Sequence, residues 1–251
     1  MTGGLLTRMG GGWQTWYEAM LDVVFPRNCV VTGEPVENAP WRYFSSEGLA
    51  ELRRYRPFLC DSYGLPVCGD EMGVRTYTPT SEIGPVFQQG RTALVAQGPV
   101  RRVVHALKYR QGVYLVEDMV RLMLEAPGMV DFLKGAVLVP VPLFRRKLRE
   151  RGYNQTLLLA QALERAGLGV EVREILVRLR DTGTQTQLSR EARERNVRRA
   201  FKMKDGVLVE HRRRHVVLDD VFTTGATLNA CAQVLVDAGV SWVDVVSFAH
   251  G

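Results

Sequence analysis

Cysteine is scarce: four in 251 residues, at positions 29, 60, 68 and 231, too few and too unevenly spaced for a disulfide framework. Long hydrophobic runs are missing as well. No stretch approaches the ~18 uninterrupted apolar residues of a membrane span, so no membrane insertion is expected. Near the N-terminus, Gln14, Glu18 and Asp22 interrupt what would have to be the apolar region of a secretory leader. These absences lead to the expectation of a cytoplasmic protein. Internal repeats and low-complexity tracts are also lacking. The composition, 46% apolar and 24% charged, is that of a globular chain long enough for one large or two modest domains. Acidic residues are outnumbered 27 to 33, and the formal charge of +6 suits either an anionic partner or a merely solvated basic surface.

The most specific segment present runs from Val216 to Thr227. Its β-branched and aliphatic residues predict a buried strand, which the pattern ends at the adjacent carboxylates Asp219 and Asp220. Thr223-Thr224-Gly225-Ala226-Thr227 follows as a turn of hydroxyls around one glycine. Leu228 to Ala238 then reads as a helix closed by Gly239. In that helix Asn229, Gln233 and Asp237 recur every four positions, which leaves one narrow wet stripe on an otherwise packed element. An Asp-Asp pair alone would equally fit a metal site; the Thr-Thr-Gly-x-Thr between strand and helix is what makes the segment specific. Such an arrangement suits a phosphorylated sugar. Loop N–H groups and the helix dipole take the phosphate, hydroxyls add donors, and carboxylates accept from ribose hydroxyls. From the acidic pair through Thr227 the segment resembles the phosphoribosyl-pyrophosphate (PRPP) signature of type I phosphoribosyltransferases.

Two domains are expected, 1–84 and 85–251. The first opens with an amphipathic helix over 13–25, stopped by Pro26, and continues from Cys29 to Tyr77 as a small, irregular, turn-rich module; Thr78 to Pro85 reads as a linker. The second alternates strands and helices. Thr92–Ala96, Ala136–Val141, Ile175–Leu179, Val216–Asp219 and Val243–Phe248 read as strands. Val100–Tyr109, Val113–Leu124, Asn154–Ala166 (begun by an Asn cap), Ser189–Arg199 and Leu228–Ala238 read as helices. The expected fold class is α/β, a parallel sheet whose ligand edge lies at the carboxyl ends of the strands.

A second strand end, Val139-Pro140-Val141-Pro142, leads into Arg145, Arg146, Lys147, Arg149 and Arg151, five basic residues within seven positions. Departing pyrophosphate carries several negative charges that fixed cations stabilise, which makes Arg145 and Lys147 candidate catalytic residues. A solvated basic loop or a nucleic-acid contact are the alternatives. The same alternatives hold for His211-Arg212-Arg213-Arg214-His215.

Pro-Val-Pro, the spaced basics and Arg151-Gly152-Tyr153-Asn154-Gln155 resemble the ComF competence-protein family of phosphoribosyltransferase-like proteins. So do Ala106-Leu107-Lys108-Tyr109-Arg110 and Arg178-Leu179-Arg180-Asp181-Thr182, in the family's order. The resemblance covers most of residues 85–251. It implies a phosphoribosyltransferase-like fold, a cytoplasmic location and a link in some bacteria to DNA uptake, and it does not identify the acceptor; PRPP with Mg²⁺ is the ligand that the acidic motif suits, and single-stranded DNA or the competence machinery are candidate partners. Within it, Thr182 to Gln187 reads as a mobile segment over the site, or else as an ordinary connection.

The family's paired Cys-x-x-Cys zinc knuckles are degenerate here. Thr32, Tyr63 and Glu71 stand where the second sulfur would follow Cys29, Cys60 and Cys68, so no zinc is expected; Glu71 is the least implausible fourth ligand. Cys231 reads as a small core residue. The functional expectation is a PRPP-binding phosphoribosyltransferase, with Asp219, Asp220, Arg145 and Lys147 at the chemistry and Thr223 to Thr227 on the phosphate. The alternatives are a non-catalytic nucleic-acid-handling accessory protein and a PRPP-sensing regulator.

Overall fold

The computed structural model describes residues 27–36, 40–56, 85–109, 112–181 and 199–251. The helix expected over 13–25, the domain boundary at 84/85, most of the linker, the segment 182–187 and the helix Ser189–Arg199 lie outside the described residues or run into them only at their ends. The chain divides into two units between Glu51 and Leu52.

In the first unit, Asn28 and Pro35 form an antiparallel bridge that closes a tight turn, with Gly33 at φ +83° donating its N–H to the Cys29 carbonyl at 2.8 Å. The stretch expected to be irregular contains a helix, α1 (Ser46–Arg53), which runs two residues past the division at Glu51. Ser45 starts it, its hydroxyl accepting from Gly48 N at 3.1 Å as an N-cap does.

The second unit is built on a five-stranded sheet. Among the described residues its strands and α-helices are, in chain order, β1 (Gly90–Val95), α2 (Gly98–Tyr109), α3 (Val116–Leu124), α4 (Met129–Leu133), β2 (Val137–Pro140), α5 (Arg145–Arg151), α6 (Gln155–Arg165) and β3 (Glu171–Val172). These are followed by β4 (Leu176–Arg178), β5 (Phe201–Met203), β6 (Arg214–Phe222), α7 (Ala226–Asp237) and β7 (Trp242–His250). The sheet order is β1-β7-β6-β2-β3 and every pairing in it is parallel. Helices cover such a sheet on both faces, which is why Val137–Pro140 and residues 243–250 are buried without alternation. The fold is α/β with a parallel sheet, as the alternation of elements predicts.

Three local expectations need correction. Ile175–Leu179 does yield a strand, β4, but it pairs antiparallel with β5 in a separate two-stranded ribbon and is not part of the parallel sheet. The basic run after β2 is a helix, α5, with no buried residue, so no apolar period announced it. Finally, β6 does not stop at the acidic pair. Val221 and Phe222 stay in register with Ala249 and His250, because β7 is long enough to supply backbone partners for two further residues.

Candidate functional site

The carboxyl end of β6 carries Asp219 and Asp220, and the two acids have different neighbours. Asp220 is 3% exposed, and its Oδ2 lies 2.8 Å from the Nζ of Lys108 in the last turn of α2. Asp219 is more open, and its Oδ1 accepts the Asp220 backbone N–H at 2.8 Å. Burial and the adjacent Asp220 carboxylate push the Asp219 carboxyl well above the usual carboxylate range, with Lys108 opposing them. Arg178, half-buried at the end of β4, lies within electrostatic reach of Asp219 and 5.2 Å over the Phe201 ring. Burial lowers its pKa, and the nearby acids resist that shift.

The hydroxyl loop follows two residues later. Thr223 and Thr224 are exposed, and Thr224 Oγ1 accepts from Ala226 N at 3.4 Å. Gly225 is buried at φ +71°, where a side chain would cost ~1–2 kcal/mol, and this left-handed residue turns the chain into α7. Ala226 and Thr227 form the first turn, whose N–H groups have no helical acceptor. The helix dipole favours an anion at this end. Behind the loop Cys231 is fully buried in the apolar cluster around Val217, Leu228 and Leu235, a core residue as expected. Burial pushes its thiol well above the ordinary value.

Arg145 and Lys147 sit on α5, beyond the carboxyl end of β2 and at the same sheet edge as the acids. Lys147 Nζ is 3.7 Å from Asp181, and Arg146 forms an ion pair with the same carboxylate. Arg145 is exposed and makes no ion pair among the described residues. Alternating charges, Asp219, Arg178, Asp181 and then Arg146 with Lys147, thus connect the acidic pair to the basic helix. Sequence reasoning did not single out Lys108 or Arg178 as site groups. Both fall in stretches that carry the family resemblance, but nothing local in those stretches reveals their partners.

The segment Arg151–Gln155 fixes this corner. Gly152 ends α5 at φ +84°, and Tyr153 donates its hydroxyl proton to the Leu107 carbonyl. Asn154 caps α6 by accepting from Thr156 N at 3.2 Å, and its Nδ2 donates to the Val141 carbonyl at 3.1 Å. Arg151 donates to Gln155 and lies 5.4 Å over the Tyr109 ring. These contacts tie β2, α5 and α6 to the end of α2, the turn that delivers Lys108 to Asp220.

Of the degenerate knuckles, only the first is described. Cys29 is 2% exposed. Burial raises its thiol pKa, but hydrogen bonds from Ser45 and Thr32 together outweigh burial and lower it. Thr32 Oγ1 meets Ser45 Oγ at 3.4 Å, and a Cβ on Gly48 would meet the Cys29 sulfur at 2.6 Å. Hydroxyls and packed backbone surround the sulfur. Cys60, Cys68 and Glu71 lie outside the described residues. No helix among the described residues is long and apolar enough to cross a membrane.

No family model matches the chain. Individual relatives do. Over 226 residues it is 34% identical to the DNA utilization protein YhgH of Salmonella typhi, covering 88% of this chain and 95% of that one. It is 30% identical over 156 residues to competence protein F of Haemophilus influenzae (61% and 68% covered), and 25% identical over 202 residues to competence protein ComFC of Bacillus subtilis (76% of each). Among solved structures, a hypoxanthine phosphoribosyltransferase of Staphylococcus aureus aligns with a TM-score of 0.32 and 13% identity, over 54% of this chain and 62% of that one.

Proposed function

The chain belongs to the ComF family of competence and DNA-utilization proteins, which have a phosphoribosyltransferase-like fold, and from that premise we propose that it binds PRPP with Mg²⁺ and transfers the phosphoribosyl group to an acceptor. One observation carries the reading: the loop Thr223–Thr227, with Gly225 in the left-handed conformation, joins an acid-bearing strand to a helix N-terminus at the carboxyl edge of a parallel sheet. The 5′-phosphate sits against the loop N–H groups and the threonine hydroxyls. The ribose hydroxyls donate to Asp219 and, where its Lys108 contact allows, to Asp220.

The donor set also fits a hard cation, since two adjacent carboxylates, of which Asp219 is held above its ordinary pKa by burial and then by its neighbour, are an environment that a divalent ion relieves. Mg²⁺ would supply charge neutralisation for the pyrophosphate there. The acceptor attacks the anomeric carbon, the bond to the pyrophosphate oxygen breaks, and pyrophosphate leaves with the bonding pair. Arg145, Arg146 and Lys147 hold the cationic side of that departure. The chain's part is positioning and charge; no covalent nucleophile is required. Membership in a family of competence and DNA-utilization proteins supports a role in handling DNA taken up from outside.

One observation favours a second reading, binding without turnover: Arg146 and Lys147 are already engaged by Asp181, so pyrophosphate must compete with an internal acid for them. Replacing Arg145, Arg146 and Lys147 together by alanine separates the two. For an enzyme, pyrophosphate release in a panel of bases should slow by about a hundredfold or more while PRPP affinity changes far less, because these charges matter most as the anion develops. No pyrophosphate release by the wild-type chain, with PRPP binding intact, would establish the regulator reading.

The purified protein is expected to carry no stoichiometric zinc, since each knuckle lacks a sulfur and the described one is filled by hydroxyl contacts. Elemental analysis after metal-free purification decides this. One zinc per chain, lost on Cys60→Ser or Cys68→Ser, would mean that a non-cysteine ligand completes a site.

A further inference from the structure

The opposite edge of the sheet holds an open cleft of about 790 Å³, within the size range of small-molecule sites. It lies where β1, β6 and β7 begin, whereas Asp219 and the hydroxyl loop lie where β6 ends. Arg214 and Asp219 are five steps apart along β6, roughly 17 Å of extended chain, so the cleft cannot be the acceptor pocket of the PRPP reaction.

The lining is organised around one guanidinium. Arg214 lies 4.4 Å from the centroid of the Phe132 ring and 5.5 Å from that of Trp242. Its Nε donates to Asp244 Oδ2 at 2.7 Å, and an Nη donates to the Phe132 carbonyl. Asp244, 1% exposed, also accepts Gln89 N at 2.9 Å. Arg214 and Asp244 therefore neutralise each other and act as fixed framework. Arg91 reaches the same Phe132 ring at 5.2 Å.

Beside that stack Trp242 is 52% exposed. Arg212, also on the cleft, is exposed and makes no ion pair among the described residues. Ser241 and Gln89 add a hydroxyl and an amide to the wall. The one remaining acid on the wall is Asp131, which is exposed, and Arg91 and Arg212 outnumber it there. An aromatic plate backed by a guanidinium, an open cation and a few neutral hydrogen-bonding groups match one ligand chemistry: a planar base carrying a phosphate.

The geometry points to a second ligand site at this edge, in which a nucleotide stacks its base on Trp242 and sets its phosphate against Arg212. The nucleotide is either free or one unit of a single strand, and the chemistry of contact is the same for both. This site is independent of the PRPP reading and stands or falls separately from it.

Calorimetric titrations with adenosine monophosphate and with a ten-nucleotide thymidylate strand test the site, on the wild-type chain and on Asp219→Asn/Asp220→Asn. At least one probe is expected to bind both proteins alike, without competition from PRPP. Trp242→Ala and Arg212→Glu should each weaken that binding by about tenfold or more, and Trp242→Phe should retain most of it. Both altered residues are exposed, so the fold should persist in each variant, and circular dichroism checks that. Binding of the mononucleotide assigns a free ligand; binding of the strand alone assigns single-stranded nucleic acid. The site is refuted if neither probe binds at millimolar concentration, if neither Trp242→Ala nor Arg212→Glu weakens the binding, or if PRPP or the acidic-pair variant abolishes it.

Discussion

Replacing Lys108 by methionine is expected to lower the unfolding free energy by about 2–4 kcal/mol, more than any other single surface-facing lysine should cost. The reason is the charge it leaves behind. Asp220 is 4% exposed at its side chain and its Oδ2 is 2.8 Å from Lys108 Nζ. Breaking a buried pair by removing one partner costs ~3–5 kcal/mol, because the survivor stays buried and uncompensated. Lys108 is 24% exposed, so water recovers part of that, which sets the lower end of the range. The Asp219 carboxyl, which Lys108 helps to hold down, should rise further in the variant. Removing both charges in Lys108→Met/Asp220→Asn should restore most of the loss. Denaturant midpoints for the two single variants and the double variant give the coupling directly; costs that merely add, within ~0.5 kcal/mol, would show that the pair contributes nothing as a pair.

That interaction explains a division between what the chain's local pattern discloses and what it does not. The acidic strand, the Thr-Thr-Gly turn and the helix after it are adjacent in sequence, and adjacency is what periodicity and turn chemistry read. The Asn154 cap was legible for the same reason: its hydrogen-bond partner, Thr156, is two residues away. Lys108 meets its acid across more than a hundred residues, and Arg178 reaches Asp219 from a different ribbon. No local window contains either pair. β3 escaped notice because two residues cannot show a period of two, and β5 because three residues next to a charged stretch read as loop. α5 has no apolar face at all, so its residues advertised charge and concealed helix.

The extension of β6 shows a related limit. Asp219 and Asp220 look terminal in sequence because charge follows an apolar run. Strand length, however, is set by the neighbour, and β7 continues pairing to His250. The acids are consequently held within the ladder, with their backbones fixed by β7, while the hydroxyl loop begins only at Thr223. This rigidity favours ligand positioning: a carboxylate on a paired strand loses less freedom on binding than one on a loop. The cleft at the far edge is less legible still, since its walls come from the segments around Gln89, Phe132, Arg212 and Trp242 and only the sheet brings them together.

Asp219→Asn combined with Asp220→Asn is expected to weaken Mg²⁺-assisted PRPP binding by about 3–6 kcal/mol, or roughly a hundred- to ten-thousandfold. Each charged acceptor lost is worth ~1.5–3 kcal/mol, and every ~1.4 kcal/mol is tenfold in affinity. The single change Asp219→Asn should move stability the other way. In the unfolded chain this carboxyl titrates near ~3.9, whereas burial and the Asp220 carboxylate raise it well above that in the folded protein. Between those two values the native state holds a proton that the unfolded state has lost. Stability therefore falls as pH rises through that window, and the penalty is complete above the native value. The amide oxygen of the variant still accepts the Asp220 N–H, so the hydrogen bond survives while the penalty disappears. At pH 8 the single variant should melt above the wild type, with the gap closing as pH falls towards 4. A variant that melts lower at pH 8 would show that the carboxylate makes net stabilising contacts. Unchanged PRPP affinity in the double variant, measured calorimetrically with Mg²⁺ present, would remove both acids from the ribose.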